Sequence, residues 1–390
     1  MNTGGPELKS VEVSLETGTL KGRLLKTWSR VQQYRQTHAL QEMAAFFSAG
    51  FLFDVFTLSR IDDGVTLIQQ GVYLALLGGL LALEQRQVLR DDLSPWLTRV
   101  LHFGEDAIHF LFGSLLSSFA LFYFKSASGL TALVFVVLVF GLLVANELPR
   151  FRKLGPIIRL AIFSFAITSY FAYLLPVLLG FLSPWLFFAA TLIAGLFLAL
   201  GYLTMRRWGQ DRLVILQRAV LPGLLVQAVL LGLFFLKAIP PVPLSLTYLG
   251  IYHRVESAEG KRLLLHQRPW WRVWHNGDQL FIKRPGDTLY AFAQIFAPTT
   301  FKDRLFVRWS RKEQGHWIQQ DAIPIVVTGA RSEGYRATTY KKNYTAGEYR
   351  AEIETDDGRT VGSIQLTVEE APAMPEGQPY PPRVFGVDTY

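Results

Sequence analysis

The sequence predicts an α-helical membrane bundle of about seven transmembrane helices, followed by a C-terminal all-β domain. Half of the 390 residues are hydrophobic and only 18% are charged, a balance typical of membrane proteins. The apolar runs are concentrated between residues 40 and 240. After residue 240 the pattern changes from long apolar stretches to short alternating segments. The chain therefore contains two parts of different kinds.

Seven stretches are long and apolar enough to cross a bilayer as helices. A hydrocarbon core of about 30 Å requires about 20 apolar residues in a helix. The predicted spans cover residues 40–58, 65–83, 107–124, 130–147, 156–179, 184–205 and 214–236. Short polar turns follow the first and the third span, so each of these should form a hairpin with the span after it.

Lys and Arg residues lie almost entirely on one side of the predicted bundle. They cluster before the first span and in the loops after the second, fourth and sixth spans, whereas the alternate loops carry only Arg60, beside Asp62 and Asp63, and Lys125. Cationic loops resist translocation and stay in the cytoplasm. We therefore predict a bacterial inner-membrane protein with a cytoplasmic N-terminus and a periplasmic C-terminal domain.

The pattern after residue 244 predicts short antiparallel strands. Residues 239–244 contain three prolines and do not continue a helix. Segments rich in β-branched and aromatic residues follow, separated by turn sequences such as Asn276-Gly277. They cover residues 248–255, 262–267, 279–282, 288–296, 304–310, 322–327, 335–340, 347–355 and 360–368. This spacing is typical of an immunoglobulin-like sandwich.

These patterns divide the chain into five segments. They are a basic cytoplasmic segment (1–38), the transmembrane domain (39–238), a linker with the first strands and a Trp cluster (239–286), the β-sandwich (287–370) and a disordered tail (371–390).

Several Trp, Gly and Arg positions between residues 287 and 368 occur in a recognisable order. They lie in Ala291–Pro298, Val307–Trp309, Gly334–Arg336, Gly347–Arg350 and Asp357–Arg359. This order resembles the bacterial family called domain of unknown function 2914. Arg308 stands where that family typically has His, and Ala330 where it has the second Gly of a Gly-Gly-Arg. The resemblance implies a domain attached to membrane helices in bacteria, and it implies no particular chemistry.

One constellation of ionisable residues opens the third predicted span. Glu105 and His109 are four residues apart and share a helix face, with Asp106 beside them. Ionisable groups in membrane spans are costly and are therefore candidates for function, here metal binding or proton relay. However, two ligands do not make a metal site, and the helix dipole stabilises acidic residues at a helix start. We favour this structural interpretation and predict no metal or cofactor.

An aromatic cluster, Trp270, Trp271 and Trp274, precedes the predicted sandwich, and Arg331 and Arg336 are cationic candidates within it. Aromatic faces with adjacent cations bind sugars, peptides or anionic polymers, and a sandwich core buries such rings as readily. Because the cluster follows the linker closely and tryptophan favours membrane interfaces, we expect it to lie at the membrane surface or to dock a partner.

Two functions remain open from the sequence. The first is non-enzymatic: the helices anchor a periplasmic binding module whose partner is a periplasmic protein or a cell-wall glycan, besides the lipid bilayer. The second is an enzyme or permease for a lipid or lipid-linked substrate, with Glu105, Asp106 and His109 as its polar site. The absence of cysteine excludes thiolate catalysis, and the basic residues lie between apolar runs, which argues against nucleic acid. We favour the first function.

Overall fold

The structure is a computed structural model that describes residues 61–87, 95–147, 155–258, 260–272, 274–329, 334–375 and 378–390. Within these residues, six helices are long and apolar enough to cross a membrane. They are α1 (Gly64–Gln87), α2 (Pro95–Ser126), α3 (Gly129–Glu147), α4 (Pro156–Leu179), α5 (Pro184–Arg207) and α6 (Arg212–Phe235). They match six of the predicted spans, and the first predicted span, 40–58, lies outside the described residues.

Local sequence signals explain where several helices begin and end. The Asp63 carboxylate caps α1 by accepting a hydrogen bond from the backbone N–H of Thr66 at 3.0 Å. Pro156 and Pro184 open α4 and α5. In the first turn of a helix a backbone N–H has no hydrogen-bond partner within the helix, so the N–H that proline lacks is not missed there. Gly180 ends α4 with a left-handed φ of 80°. Helix α2 begins earlier than its predicted apolar span, at Pro95, because its first turns are helical but polar.

Helix α6 contains a single π-helical stretch, Leu216–Val220, directly before Pro222. A proline in a regular helix removes one hydrogen bond, and its ring clashes with the carbonyl four residues earlier. A π-helical turn at this point widens the helix and accommodates the ring. The sequence predicted one continuous span here, and the span continues through the irregularity.

Helix α4 packs at the centre of the described bundle and carries polar contacts to its neighbours. The Tyr170 hydroxyl donates to the Leu67 carbonyl of α1 at 3.0 Å. On another side, Gln227 of α6 donates from its side-chain amide to the hydroxyls of Ser164 and Thr168, at 2.7 and 2.8 Å. Buried polar side chains in a membrane bundle join helices in this way, because no water is available to satisfy them.

The described C-terminal half forms strands β1 to β11. They are β1 (Ser245–Tyr252), β2 (Arg254–Ala258), β3 (Lys261–His266), β4 (Leu280–Lys283), β5 (Leu289–Phe296), β6 (Lys302–Glu313), β7 (His316–Thr328), β8 (Tyr335–Lys341), β9 (Gly347–Thr355), β10 (Thr360–Glu370) and β11 (Gly386–Thr389). Each predicted strand segment is present, and 248–255 divides into the end of β1 and the start of β2. Strand β11 lies in the tail, 371–390, for which we expected disorder.

The strands form three sheets with the orders β1-β5-β8, β4-β10-β9-β6-β7 and β11-β3-β2. Strand β4 runs parallel to β10, and the other described strand pairs are antiparallel. The main core contains residues from both the first and the second sheet, including Ile251 and Ile295 from one and Trp309 and Ile353 from the other. These two sheets therefore pack against each other through their apolar faces.

The loop between β5 and β6 is hydrogen-bonded to the helix ends. The backbone N–H of Lys302 donates to the Gly180 carbonyl at 2.7 Å, and the Thr300 hydroxyl donates to the Val177 carbonyl at 2.6 Å. In the other direction, the backbone N–H of Leu182 donates to the Asp303 carboxylate at 2.8 Å. We call this set of contacts the docking clamp.

A second contact comes from the turn between β9 and β10. Arg359 in this turn is only 6% exposed, and its guanidinium lies 5.2 Å from the ring centroid of Phe234, near the end of α6. Asp357 accepts a hydrogen bond from the Arg359 side chain at 2.9 Å and balances the buried charge. The β-domain is therefore held against the bundle by contacts distant in sequence from the linker that joins them.

Replacing Gly180 by Ala tests the docking clamp. A Cβ at this position would overlap the Thr300 carbonyl oxygen, and φ is left-handed as well. We expect Gly180→Ala to lower the stability of the detergent-solubilised protein by about 2–3 kcal/mol, seen as a lower melting temperature by intrinsic fluorescence.

The control is Gly129→Ala. Gly129 also has a left-handed φ, of 83°, but nothing lies within 4 Å of the position that a Cβ would take there. Gly129→Ala should therefore lower the stability only by the backbone strain of an alanine with a left-handed φ, about 1 kcal/mol. Equal effects of the two substitutions would show that the clamp adds nothing.

Candidate functional site

The ionisable constellation predicted on the third span lies on α2. His109 is buried there at 9% exposed, and its backbone carbonyl accepts a hydrogen bond from the Asn146 side chain of α3 at 3.4 Å. Glu105 and Asp106 belong to the same helix, and their side chains lie outside the described part of the structure. Among the residues that the structure describes, no group of three or more His, Cys, Asp or Glu could hold a metal ion. Support for a polar site on α2 therefore still comes from the sequence pattern alone.

The Trp cluster lies at the end of the β-domain that is remote from the helices. Strand β1 starts at Ser245, which lines a small cavity together with Ser126 at the end of α2. From there to Ile251 the extended chain covers about 20 Å. Ile251 is bridged to Gly277, at the end of the loop that holds the Trp residues. We expected the cluster to lie at the membrane surface or to dock a partner, and the course of β1 away from the helices favours the docking alternative.

We call residues 268–276, between β3 and β4, the Trp loop. Trp270, Trp271 and Trp274 are 88%, 49% and 69% exposed. Tryptophan is highly buried on average, so three exposed rings within five residues mark a surface suited to interaction. The guanidinium of Arg272 lies 4.8 Å from the Trp271 ring centroid, close enough for a cation–π contact.

Of the two cations predicted for this site, the described one, Arg336, is not brought to it. Arg336 lies on β8 opposite Gln294, near the end of β5 that leads into the docking clamp. Arg331 lies outside the described residues. The cation that accompanies the Trp rings is instead Arg272, a member of the same loop.

The two ends of the Trp loop are tied together by one carboxylate. Both oxygens of Asp278 accept from the backbone N–H of Gln267, at 2.8 and 3.0 Å, and the backbone N–H of Asp278 donates to the Ile251 carbonyl at 2.7 Å. Within the loop, the Arg268 side chain donates to the His275 carbonyl. These bonds fix the base of the loop on the sheet and limit the motion of the rings that it carries.

A buried charged cluster lies beneath the loop. Asp278 and His253 are 2% and 7% exposed, and His253 Nε2 is 3.7 Å from Asp278 Oδ2. On its other side, His253 Nδ1 is 2.9 Å from the guanidinium of Arg383, which also pairs with Asp287 at 2.6 Å. Because arginine has no acceptor, Nδ1 must accept, and a neutral His253 then carries its proton on Nε2, toward Asp278.

Burial changes the proton affinities of this pair in opposite directions. It raises the pKa of the Asp278 carboxyl to about 7, against hydrogen bonds from Gln267 that favour the charged form. Burial, with help from Arg383, lowers the pKa of His253 to about 4. Near pH 6 the pair is therefore uncharged, with a proton on Asp278 and a neutral imidazole on His253.

The C-terminal segment completes the base of the site. Strand β11 pairs with β3, and Asp388 on it lies 3.3 Å from His266 Nε2 and 3.4 Å from the Arg268 guanidinium. The Tyr390 ring packs on Tyr248 with 4.3 Å between centroids. Sequence reasoning missed this strand, although the alternation of apolar and polar residues in Phe385–Tyr390 is a strand signal.

The β-domain is similar to a known family over part of its length. Residues 302–368, which extend from β6 into β10, match the model of the family described as "Protein of unknown function (DUF2914)". The docking turn at Arg359 belongs to the matched segment, whereas the Trp loop and the residues His253 and Asp278 precede it.

Two further comparisons add no functional information. No curated protein matches the chain. Among solved structures, the chain matches the Pseudomonas fluorescens alkylpurine DNA glycosylase AlkC bound to DNA containing an abasic site analog. The identity is 11%, the match covers 77% of this chain and 99% of that chain, and the TM-score is 0.17, too low to carry an argument about the fold.

The raised pKa of Asp278 predicts a specific pH dependence of stability. Between about pH 4 and pH 7 the folded protein keeps a proton on Asp278 that the unfolded chain, with its ordinary pKa of 3.8, releases. The stability from this proton is complete below pH 4 and is lost as the pH rises through 7. We therefore expect Asp278→Asn to gain stability relative to the unsubstituted protein as the pH rises from 4 to 8.

The measurement is the melting temperature of both proteins in detergent at each pH. His253 has the opposite slope, since its stability contribution is lost as the pH falls from 6.5 through 4, but it is present in both proteins and largely cancels in the difference. Asp356→Asn, at an exposed position in the β9–β10 turn, controls for the loss of a negative charge. A melting-temperature difference that stays constant from pH 4 to 8 would contradict the assignment.

Proposed function

We propose that this chain is a multi-pass protein of the bacterial inner membrane that presents a periplasmic, immunoglobulin-like binding domain and binds a partner protein without catalysing a reaction. The observation that carries the proposal is the Trp loop. Its three exposed rings are fixed at the distal end of a β-domain whose other end is docked on the helices.

The distribution of basic residues supports the orientation. Arg86 closes α1, Arg206 and Arg207 close α5, and Arg212 opens α6, all at the ends of helices opposite to the docking clamp. The clamp side carries Asp62 and Asp63 at the start of α1 against Lys125 at the end of α2 and Lys237 just after α6, so its helix ends have no excess of positive charge. Because cationic segments remain in the cytoplasm, this asymmetry favours a periplasmic β-domain.

The shape of the site favours a protein as the partner. Small-molecule sites are concave and bury most of their ligand. Here the rings of Trp270 and Trp274 project from a loop instead, with Arg272 between them. Trp and Arg are the residues that most often dominate protein–protein binding energy when they enter a pocket of the partner. The bonds that fix the loop lower the entropy lost on binding.

The orientation is tested by labelling single cysteines, which is free of background because the chain contains no cysteine. We expect Ser257→Cys, exposed on β2, to react with a membrane-impermeant maleimide in intact spheroplasts. Arg207→Cys, exposed after α5, should react only after permeabilisation. The reverse pattern would place the β-domain in the cytoplasm.

The binding role is tested by photo-crosslinking in cells. The full-length protein with a benzophenone amino acid in place of Arg272 should give a discrete adduct with another protein, which mass spectrometry then identifies. Adding Trp270→Ser and Trp274→Ser should reduce this adduct by about tenfold, the loss expected from removing about 1.4 kcal/mol of binding energy.

The matched control is Tyr340→Ser, which removes an aromatic ring that is 57% exposed on β8, outside the Trp loop and separated from β1 by β5. It should leave the adduct unchanged. If no protein adduct forms and the purified chain instead co-sediments with peptidoglycan in a Trp-dependent way, the partner is a cell-wall glycan. An adduct that is insensitive to both Trp substitutions would overturn a binding role for the loop.

A further inference from the structure

The helical bundle contains an apolar cavity of about 450 Å³ that the Trp loop does not involve. It lies between α1, α4 and α5, with one residue of α6 in its wall, and its lining is almost entirely apolar or aromatic. Its volume falls within the range of about 300–1,000 Å³ typical of ligand sites. A water molecule in such a cavity would lack the two to four polar partners that it needs, so water does not fill it stably.

Glycines create this space. Gly78 of α1 packs directly against the Phe163 ring of α4, since a Cβ there would come within 2.9 Å of it. Gly79 and Gly201, which also line the cavity, have nothing within 4 Å of the position of a Cβ. The helices therefore approach closely at one glycine and leave a gap beside the two others.

The cavity is open toward the surroundings of the bundle. Phe197 and Leu200 of α5, in its wall, are 45% and 60% exposed. In a bilayer, the surroundings of such residues are lipid acyl chains. The cavity extends from the middle of the bundle, at Gly71 and Phe171, to the end remote from the β-domain, where its walls include the last turns of α5 up to Trp208.

Cations surround the end of the cavity at Trp208. The Arg86 guanidinium lies 5.8 Å from the Trp208 ring centroid. Arg206, Arg207 and Arg212 lie in the adjacent α5–α6 connection, and Arg159 pairs with Glu84 on the neighbouring helices. Asp211 and Glu84 offset part of this positive charge. Basic groups between helices at a membrane boundary favour anionic lipid head groups.

We propose that the cavity binds one acyl chain of an anionic phospholipid, whose phosphate lies at Arg86 and the basic α5–α6 connection. The apolar walls select the chain and the cations select the charge of the head group. This site is separate from the proposed partner site on the β-domain and does not depend on it.

Native mass spectrometry of the full-length protein released from nanodiscs tests the proposal. The nanodiscs contain equal amounts of phosphatidylglycerol and phosphatidylcholine. We expect retained phosphatidylglycerol on the unsubstituted protein, and about tenfold less of it on Gly201→Leu, whose side chain would occupy the space of several methylene groups of the lipid.

The matched control is Gly195→Leu on the same helix. Gly195 also has nothing within 4 Å of its Cβ position, but it does not line the cavity, so retention should be unchanged. Gly79→Leu fills the cavity from α1 and provides a second test if Gly201→Leu fails to fold. Equal retention by the filled variants and by Gly195→Leu overturns the acyl-chain site.

The selection of an anionic head group is tested separately, by the ratio of the two lipids that the protein retains. Arg86→Gln should lower the ratio of retained phosphatidylglycerol to phosphatidylcholine by about threefold or more, while an acyl chain is still bound. An unchanged ratio overturns the selection of anionic lipid at Arg86.

Discussion

The docking clamp between the β-domain and the helix ends determines how the β-domain is oriented on the bundle and therefore which of its surfaces is free. Its bonds join the β5–β6 loop to the end of α4 at Gly180 and to the residues just after it. Without them, the β-domain would be held through residues 236–244 and the contact of Arg359 with Phe234, which fix the direction of its loops less completely. With them, one end of the domain is occupied by the bundle, and the opposite end is the free surface. The buried pair of Arg359 and Asp357 adds a contact that resists displacement, because moving the domain would expose the Phe234 ring and break its contact with the guanidinium.

The free end combines a rigid base with exposed rings. A loop that carries three exposed tryptophans would ordinarily collapse onto the nearest apolar surface, because burial of such rings is favourable. Here the Asp278 carboxylate and the Arg268 side chain engage the loop backbone, which keeps the rings directed outward. Beneath them, the charged cluster is buried at a cost that the raised pKa of Asp278 and the lowered pKa of His253 reduce, because both groups shift toward their neutral forms. Arg383 and Asp388 then link the C-terminal segment to this base, so the end of the chain is part of the site.

The two candidate sites occupy opposite ends of the molecule and have different chemistry. At the distal end of the β-domain, aromatic rings and one arginine project outward. At the far end of the bundle, an apolar cavity opens sideways and is bordered by cations. Helix α4 connects the two regions physically: it ends in the clamp, and its Phe163 contributes to the cavity wall. The buried contacts of Tyr170, Ser164 and Thr168 hold it between α1 and α6.

The sequence by itself determined the type and position of most elements. Apolar length locates α1 and α3 to α6 with their ends at most about four residues off, because every spanning segment must satisfy its own backbone hydrogen bonds within hydrocarbon. Alternation and turn residues likewise locate the strands that end at His266 and Thr355, although they merge the end of β1 with the start of β2. Local signals of this kind need no knowledge of the partner element, and that is why they succeed.

Only the tertiary structure decided which elements pack against each other. The sequence suggested that Trp270 follows the linker closely and so lies near the membrane, but β1 first leads the chain to the opposite end of the domain. It paired Glu105 with His109 by spacing, whereas the His–Asp pairs beneath the Trp loop join His253 to Asp278 and His266 to Asp388, residues that are distant in the chain. Strand β11 is stable only because β3 supplies its hydrogen-bond partners, and Arg359 is buried only because the bundle covers it. Such contacts depend on long-range pairing, which is not encoded in the periodicity of either segment alone.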